Sequence, residues 1–263
     1  MNIEQYLERI GYTGVPATDI ETLAALCDCH VRQVPFEDLD IQAGVPIRLN
    51  TAEFFDKVVI RRRGGYCYEL NGLFCELLVQ LGFRVHMLSA RVANGKAYSP
   101  EYDHMCLAVE AEGIQWLVDV GFGDFSLMPL KIDSSEVQSD GRKEYLVGKL
   151  EVEGKEYYSA SRWNEGRGMY VPQYIFSLKE HELQDFAARN EYQQTNPESH
   201  FMKTLMCSLP TENGRISMIN NRMMYTEGGQ KREEPIMDEI HRQELLRKYF
   251  NIELDAVFKC AVE

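Results

Sequence analysis

The spacing of apolar residues changes at about residue 83, and this change limits the folds that the chain can adopt. Before it, apolar residues recur at the spacing of a helix that buries one face, as in Ile20, Leu23, Leu26 and Cys27. Over residues 83–174, short alternating runs are separated by turn-forming pairs such as Asn94-Gly95 and Glu112-Gly113, which is typical of antiparallel strands. The sequence therefore predicts a helical part followed by a barrel or a sandwich of strands.

The last third of the chain combines both patterns. Residues 178–192 predict a polar helix, residues 201–225 predict two or three strands, and residues 237–249 predict an amphipathic closing helix. The fold class is therefore α+β. We expect a helical domain over 1–83, a β domain over 84–185 and an α/β unit over 186–263.

Composition removes several classes of partner and location. The formal charge of −13, from 41 acidic and 28 basic residues, predicts a surface that repels nucleic-acid phosphates. No segment approaches the roughly 20 apolar residues that a membrane-spanning helix needs, and residues 1–5 lack the basic start of a signal peptide. Seven cysteines without a secretion signal indicate free thiols in a reducing compartment. We therefore expect a cytoplasmic protein with neither a membrane nor a nucleic acid as partner.

Cys67 is the strongest candidate for a reactive side chain. It follows Gly64-Gly65 and opens a helical pattern that continues to Gly82, so it is predicted to lie in the first turn of a helix. Unpaired backbone N–H groups and the positive end of the helix dipole favour a thiolate there, which predicts a lowered pKa for Cys67. The same N–H groups can hold an oxyanion, and the two glycines let a substrate carbonyl approach the backbone.

The other cysteines lack such a setting. Cys75 falls within an apolar helical stripe, and Cys106, Cys207 and Cys260 are likewise interpreted as small buried hydrophobic residues. The run Cys27-Asp28-Cys29-His30 combines two thiols with an imidazole but lacks a second ligand pair at zinc-site spacing. No metal is expected.

A base and a carboxylate are predicted from one β-hairpin. His104 begins a strand-like run, and Glu112-Gly113 turns the chain into residues 114–120. A loop of two or four residues pairs Asp119 with Cys106, which places Asp119 on the same face as His104. A three-residue loop would put His104 and Asp119 on opposite faces. The even loop therefore predicts a histidine base held by a carboxylate, which a cysteine nucleophile needs.

The chain resembles the arylamine N-acetyltransferases of bacterial type in ordered motifs along much of its length. These motifs are residues 34–40, 62–67, 89–92, His104, 119–123 and 197–201. Asp38 departs from the pattern, because the family usually carries asparagine there. The resemblance implies a helical bundle, a β-barrel and an α/β lid, with a triad like that of cysteine proteases formed by Cys67, His104 and Asp119.

The resemblance also implies a ping-pong reaction with acetyl-coenzyme A as co-substrate. Cys67 would take the acetyl group, His104 would move protons, Asp119 would orient His104, and an arylamine, arylhydrazine or N-hydroxyarylamine would accept the acetyl group. Aromatic side chains suited to the substrate ring are Phe36, Tyr68 and Phe122. The basic run Arg61–Arg63 is a coenzyme A contact, a structural brace or solvated surface.

Three other functions are compatible with this sequence. An amide synthase or related acyltransferase of the same fold would use another acyl donor. A cysteine hydrolase or transglutaminase-like protein would pass the acyl group to water or to a lysine. A binding module without activity would keep the fold alone.

Overall fold

The computed structural model describes residues 1–95 and 97–254. Its α-helices are α1 (Ile3–Ile10), α2 (Ile20–Gln33), α3 (Leu39–Ala43), α4 (Thr51–Phe55), α5 (Cys67–Gln80), α6 (Ala187–Thr195), α7 (His200–Lys203) and α8 (Glu239–Phe250). A π-helical turn, Asp56–Ile60, follows α4, and a 3-10 turn, Leu183–Phe186, precedes α6. None of the helices in these residues is long and apolar enough to span a membrane. Cys260 lies outside the described residues.

The strands form two antiparallel sheets. They are β1 (Phe36–Glu37), β2 (Arg84–Asn94), β3 (Ala97–Tyr98), β4 (His104–Ala111), β5 (Ile114–Val118), β6 (Leu130–Lys131), β7 (Gln138–Ser139), β8 (Glu144–Val152), β9 (Lys155–Asn164), β10 (Met169–His181), β11 (Met206–Thr211), β12 (Gly214–Ile219), β13 (Arg222–Glu227) and β14 (Gln230–Pro235). The larger sheet has the order β6-β5-β4-β2-β10-β9-β8-β7, with β3 beside β2. The smaller has the order β1-β11-β12-β13-β14.

The larger sheet curves into a nearly closed barrel. Its first strand in spatial order, β6, contacts β8 near the other edge. The side chain of Gln138 in β7 also bonds both backbone groups of Lys131 in β6, at 2.6 and 3.0 Å. The predicted run of antiparallel strands between residues 83 and 174 is thereby confirmed, and of the two predicted forms it is the barrel.

Helix α5 is the centre of the helical part. All of its residues from Cys67 to Cys75 are buried, because α1, α4 and the outer face of the barrel strands β2 and β4 pack around the helix. Glu69 accepts a hydrogen bond from the backbone of Tyr66 at 3.1 Å, which satisfies one donor at the start of the helix. The chain leaves the helix through Gly82, whose φ is +95°. The predicted start and end of this helix are confirmed.

The predicted hairpin register is confirmed. Leu107 pairs with Val118, and Ala111 pairs with Ile114, which leaves Glu112-Gly113 as a two-residue loop. Both loop residues have positive φ, +54° and +75°, as the tight turn that joins right-twisted strands requires. The strand pairing therefore brings the start of β4 close to the end of β5.

The smaller sheet joins the end of the chain to its beginning. Strand β1 comes from the helical part and pairs with β11, with Phe36 opposite Ser208. The predicted closing helix is confirmed as α8. The predicted helix over residues 178–192 is wrong in its first part, because β10 continues to His181 by pairing Glu180 with Leu88 in β2. The domain limits at 83/84 and 185/186 remain predictions.

Candidate active site

Cys67 is the first residue of α5 and is almost fully buried, with 3% of its surface exposed. The loop that follows β5 passes directly over it. A Cβ atom on Gly121 would lie 2.9 Å from the Cα of Cys67 and 2.8 Å from Nδ2 of Asn71. Only glycine allows this close approach of the loop to the helix start.

The pKa of the Cys67 thiol is raised well above its ordinary value, which makes the prediction of a lowered pKa wrong. Burial is the main cause, and the negative charges of Asp103 and Asp119 add to it. The backbone N–H of Met105 in β4 and that of Tyr68 in the first turn of α5 act in the opposite direction, the second as expected at a helix N-terminus, but they are outweighed by the loss of water. A thiolate at this position therefore needs a partner that takes the proton.

His104 and Asp119 meet as the hairpin register predicts. Nε2 of His104 lies 2.7 Å from Oδ2 of Asp119, and 4% and 0% of their side chains are exposed. The rings of Phe122 and Tyr174 pack against the imidazole, each with its centroid 5.1 Å away. The imidazole is therefore held by two rings and a carboxylate, and its other nitrogen, Nδ1, bonds no described residue.

Asn71 holds the carboxylate, and sequence reasoning missed it. Its Nδ2 donates to Oδ1 of Asp119 at 2.9 Å and to the carbonyl of Met105 at 2.7 Å, and its Oδ1 accepts from the N–H of Val120 at 2.9 Å. Asn71 lies four residues after Cys67, so both side chains share one helix face. That spacing was the available signal.

Cys67 and His104 line one cavity of about 310 Å³. Two of the three predicted substrate contacts, Phe36 and Phe122, also line it. The third, Tyr68, is not among the lining residues. It is fully buried, packs against the ring of Phe186, and donates its hydroxyl to the carbonyl of Tyr102 at 2.5 Å. Its part in substrate binding stays a prediction.

One wall of the cavity is polar, and sequence reasoning missed it as well. Asp103, which precedes His104, accepts hydrogen bonds from Arg189 and Gln193 in α6. Arg189 also lies over the ring of Tyr192, 4.1 Å from its centroid. These four residues line the cavity. The two contacts of Asp103 join residues more than 80 positions apart, so no local pattern could have indicated them.

A cluster of basic residues anchors the loop that carries Phe122. Asp124 lies 2.8 Å from Nζ of Lys143, 2.9 Å from Nη1 of Arg162 and 3.1 Å from Nε of Arg215. Arg215 and the other two cations hold the pKa of Asp124 well below its ordinary value, although burial opposes them. The loop is thus fixed to the barrel and to the smaller sheet together.

Arg63, in the basic run, is a structural brace. It is buried and pairs with Glu37 at 2.8 Å and Asp40 at 2.9 Å. Lys57 lies 2.8 Å from Asp40 and 2.9 Å from Glu69, so the loop before Cys67 is tied to β1 and α3 through charges inside the protein. Arg61 and Arg62 are exposed instead.

Among residues 1–95 and 97–254, no group of three or more histidine, cysteine and acidic side chains is placed to hold a metal ion. His30, from the run 27–30, is fully buried, and its Nδ1 lies 3.1 Å from the hydroxyl of Tyr6. Its ring packs edge-on against Phe74. Burial lowers the pKa of His30 to about 3, so it is an uncharged core residue.

Comparison with known proteins gives the same family in sequence and in structure. An N-acetyltransferase family model matches residues 19–258. The chain is 36% identical to an arylamine N-acetyltransferase of Mycolicibacterium smegmatis, over 87% of this chain and 84% of the relative. It is 32% identical to human arylamine N-acetyltransferase 1, over 97% of this chain and 95% of the relative. The solved structure of the M. smegmatis arylamine N-acetyltransferase superposes with a TM-score of 0.88 at 31% identity, covering 97% and 93% of the two chains.

Proposed function

The chain belongs to the arylamine N-acetyltransferase family, and on this premise we propose that it transfers an acetyl group from acetyl-coenzyme A to arylamines, arylhydrazines or N-hydroxyarylamines through a thioester on Cys67. One observation supports this most directly. The cavity onto which Cys67 opens has His104 in its wall, and His104 lies 2.7 Å from Asp119. Nucleophile, base and orienting carboxylate are the three groups that acyl transfer through a thiol requires.

In the first half of the reaction, Cys67 takes the acetyl group. His104 accepts the thiol proton, the sulfur attacks the acetyl carbonyl carbon, and coenzyme A leaves as a thiol with the proton that His104 returns. Burial raises the pKa of Cys67, so the thiolate forms together with the imidazolium as an ion pair. Asp119 favours this pair because its negative charge stabilises the protonated ring.

The negative charge on the carbonyl oxygen needs donors during both halves of the reaction. The first N–H groups of α5 have no partners inside the helix, and the backbone N–H of Cys67 is proposed as one donor of this oxyanion site. Because backbone groups are fixed before the reaction starts, they stabilise the developing charge without rearrangement.

In the second half, the amine nitrogen attacks the thioester. His104 takes one proton from the nitrogen and gives it to the sulfur of Cys67, which leaves as the thiol and restores the enzyme. Phe36, Phe122 and Phe201 line the cavity and supply apolar walls for a flat ring, since aromatic rings bury well against one another. Small aromatic amines and coenzyme A are therefore the expected partners.

Steady-state kinetics test the proposal. With acetyl-coenzyme A and aniline both varied, we expect parallel double-reciprocal lines, because coenzyme A leaves before the amine binds. Cys67→Ala should abolish transfer. Cys75→Ala is the matched control, because Cys75 is buried in the same helix and should keep the activity of the wild type. Intersecting lines, or an active Cys67→Ala variant, would contradict the thioester route.

The acyl acceptor separates this proposal from the hydrolase alternative. After a short reaction with acetyl-coenzyme A alone, the acetyl group should stay on Cys67 until an amine is added. A thioester lost at the same rate with and without amine would favour a hydrolase. A chain that accepts only long acyl donors would favour an amide synthase. The cytoplasmic location remains a prediction.

A further inference from the structure

Asp103 has one carboxylate oxygen that is held by the protein and one that is open to the cavity. Arg189 donates to Oδ1 of Asp103 through Nε at 2.7 Å and again through Nη2, and Gln193 donates to the same oxygen at 2.7 Å. Among the described residues none donates to Oδ2. Oδ2 has no bond from the described residues and is not one of their fully buried unpartnered atoms, so it is accessible to solvent. Asp103 is also one of the residues that line the cavity.

Asp103 lines the same cavity as Cys67 and His104, and its charge acts on the thiol of Cys67. After burial and the opposing N–H of Met105, the charge of Asp103 is the next largest influence on the pKa of Cys67, ahead of that of Asp119. Asp103 also directly precedes His104 in β4. A carboxylate, a base and a thiol therefore line one cavity.

Arg189 and Gln193 hold the other carboxylate oxygen of Asp103, Oδ1, in place. The guanidinium and the amide belong to α6, and Gln193 is itself buried and accepts from the hydroxyl of Ser199 at 2.7 Å. Both bonds from the guanidinium end on Oδ1, so they fix the position of that oxygen and leave Oδ2 without a partner among the described residues. An aspartate carboxylate offers only acceptor oxygens to a ligand.

We propose that Oδ2 of Asp103 accepts a hydrogen bond from the attacking amine, which makes Asp103 a further catalytic residue for primary amines. This inference rests on the proposed function. A primary arylamine has two N–H groups, and His104 takes only one proton. As the nitrogen bonds to the thioester carbon it becomes positively charged, so its second N–H becomes a stronger donor toward Asp103. Asp103 takes no proton in this step and forms no covalent bond.

Asp103→Asn tests the role of this oxygen. The amide oxygen of the new side chain should stay with the donors of Arg189 and Gln193, which places its NH₂ group where Oδ2 was. Transfer from acetylated Cys67 to aniline should then slow by roughly tenfold to a hundredfold, the effect of a lost charged hydrogen bond. Acetylation of Cys67 by acetyl-coenzyme A, measured separately in single turnover, should not slow, because losing the charge of Asp103 removes one cause of the raised pKa of Cys67.

A second substrate distinguishes contact with the amine from a merely structural effect. N-Methylaniline has one N–H, which His104 takes, so Asp103 has nothing to accept. The ratio of aniline to N-methylaniline rates should therefore fall by the same roughly tenfold to hundredfold factor in Asp103→Asn. A structural role would lower both rates together and leave the ratio unchanged.

Asp28→Asn is the control variant. It removes a carboxylate whose ion pair is with Arg32 on the surface of α2, and it should change neither half of the reaction. If Cys67 acetylates normally in Asp103→Asn but the substrate ratio is unchanged, the role of Asp103 is wrong and the thioester route stands. If Cys67 of the wild type takes no acetyl group, the proposed function itself fails.

Discussion

Nε2 of His104 and Oδ2 of Asp119 lie 2.7 Å apart, in a part of the protein from which water is almost excluded. With Asp119 ionised, the proton of the neutral ring lies on Nε2, so Nδ1 carries the lone pair. The carboxylate thereby leaves Nδ1 as the nitrogen that can accept a proton, and the thiol of Cys67 is its proposed donor. Strand pairing in one hairpin produces this arrangement, and Asn71 in the nucleophile helix fixes it.

Asp119→Asn should remove most of the activity without unfolding the protein. The amide can donate to Nε2, which leaves the proton on Nδ1 and makes that nitrogen unable to accept another. We expect kcat/KM to fall by roughly 10³ to 10⁴, as measured by coenzyme A release with aniline as acceptor. Circular dichroism should be unchanged. An Asp119→Asn variant within about tenfold of the wild type would show that Asp119 does not orient the base.

Asn71→Ala should affect stability and activity together. It removes three hydrogen bonds inside the protein and leaves a carboxylate oxygen and two backbone groups with fewer partners. The free energy of unfolding should fall by about 2 to 4 kcal/mol, as measured by denaturant titration, and the acetylation of Cys67 should slow. Gln80→Ala, at an exposed position of the same helix, should cost less than about 0.5 kcal/mol. Equal costs for the two variants would contradict the role given to Asn71.

Arg63→Gln should destabilise the protein, whereas Arg61→Gln should not. Removing Arg63 leaves Glu37 and Asp40 with less positive charge in a buried network, which should cost about 3 to 5 kcal/mol of stability. The folded fraction should keep its KM for acetyl-coenzyme A. Arg61 is exposed and pairs with Asp56, so its loss should change stability by less than about 0.5 kcal/mol. A raised KM in Arg63→Gln at unchanged stability would identify Arg63 as a coenzyme A contact instead.

The parts that could be predicted from sequence depend on local rules. The start of α5 follows from the glycines before Cys67 and the apolar spacing after it, and the hairpin register follows from a two-residue turn. The prediction of a lowered pKa for Cys67 was wrong because the helix N-terminus acts locally, whereas burial depends on the whole fold. The strand over residues 178–181 was missed because pairing with β2 overrides a polar helical pattern.

The remaining parts of the site join distant segments. Asp103 meets Arg189 only when α6 packs against the start of β4, and Asp124 meets Arg215 only when the smaller sheet packs against the barrel. Neither pair has a spacing that a helix or a strand would reveal. Asn71 is the exception, because its spacing from Cys67 placed it on the right face.

Asp38→Asn should stabilise the protein at neutral pH. Asp38 is fully buried, its Oδ1 accepts from the N–H of Met206 at 2.7 Å, and no described residue bonds its Oδ2. Burial raises the pKa of Asp38 well above its ordinary 3.8, so the folded state keeps the proton where the unfolded state has lost it. The wild type therefore loses stability as the pH rises above that value, and the neutral amide that the family usually carries does not.

We expect the free energy of unfolding of Asp38→Asn to exceed that of the wild type by about 1 to 3 kcal/mol at pH 7, and the difference to shrink toward pH 4. Chemical denaturation at several pH values measures it. Asp133→Asn, at an exposed position, should show no such trend. A difference that grows as the pH falls would mean that Asp38 is ionised in the folded protein.

The central claim is that Cys67 carries the acetyl group between the two substrates. The most direct measurement is mass spectrometry of the protein after brief incubation with acetyl-coenzyme A and no amine. We expect one added acetyl group on the peptide that contains Cys67, its loss on addition of aniline with formation of acetanilide, and no adduct in Cys67→Ala. Acetanilide formation by the wild type with no adduct on Cys67, or an adduct on another residue that aniline removes, would contradict it.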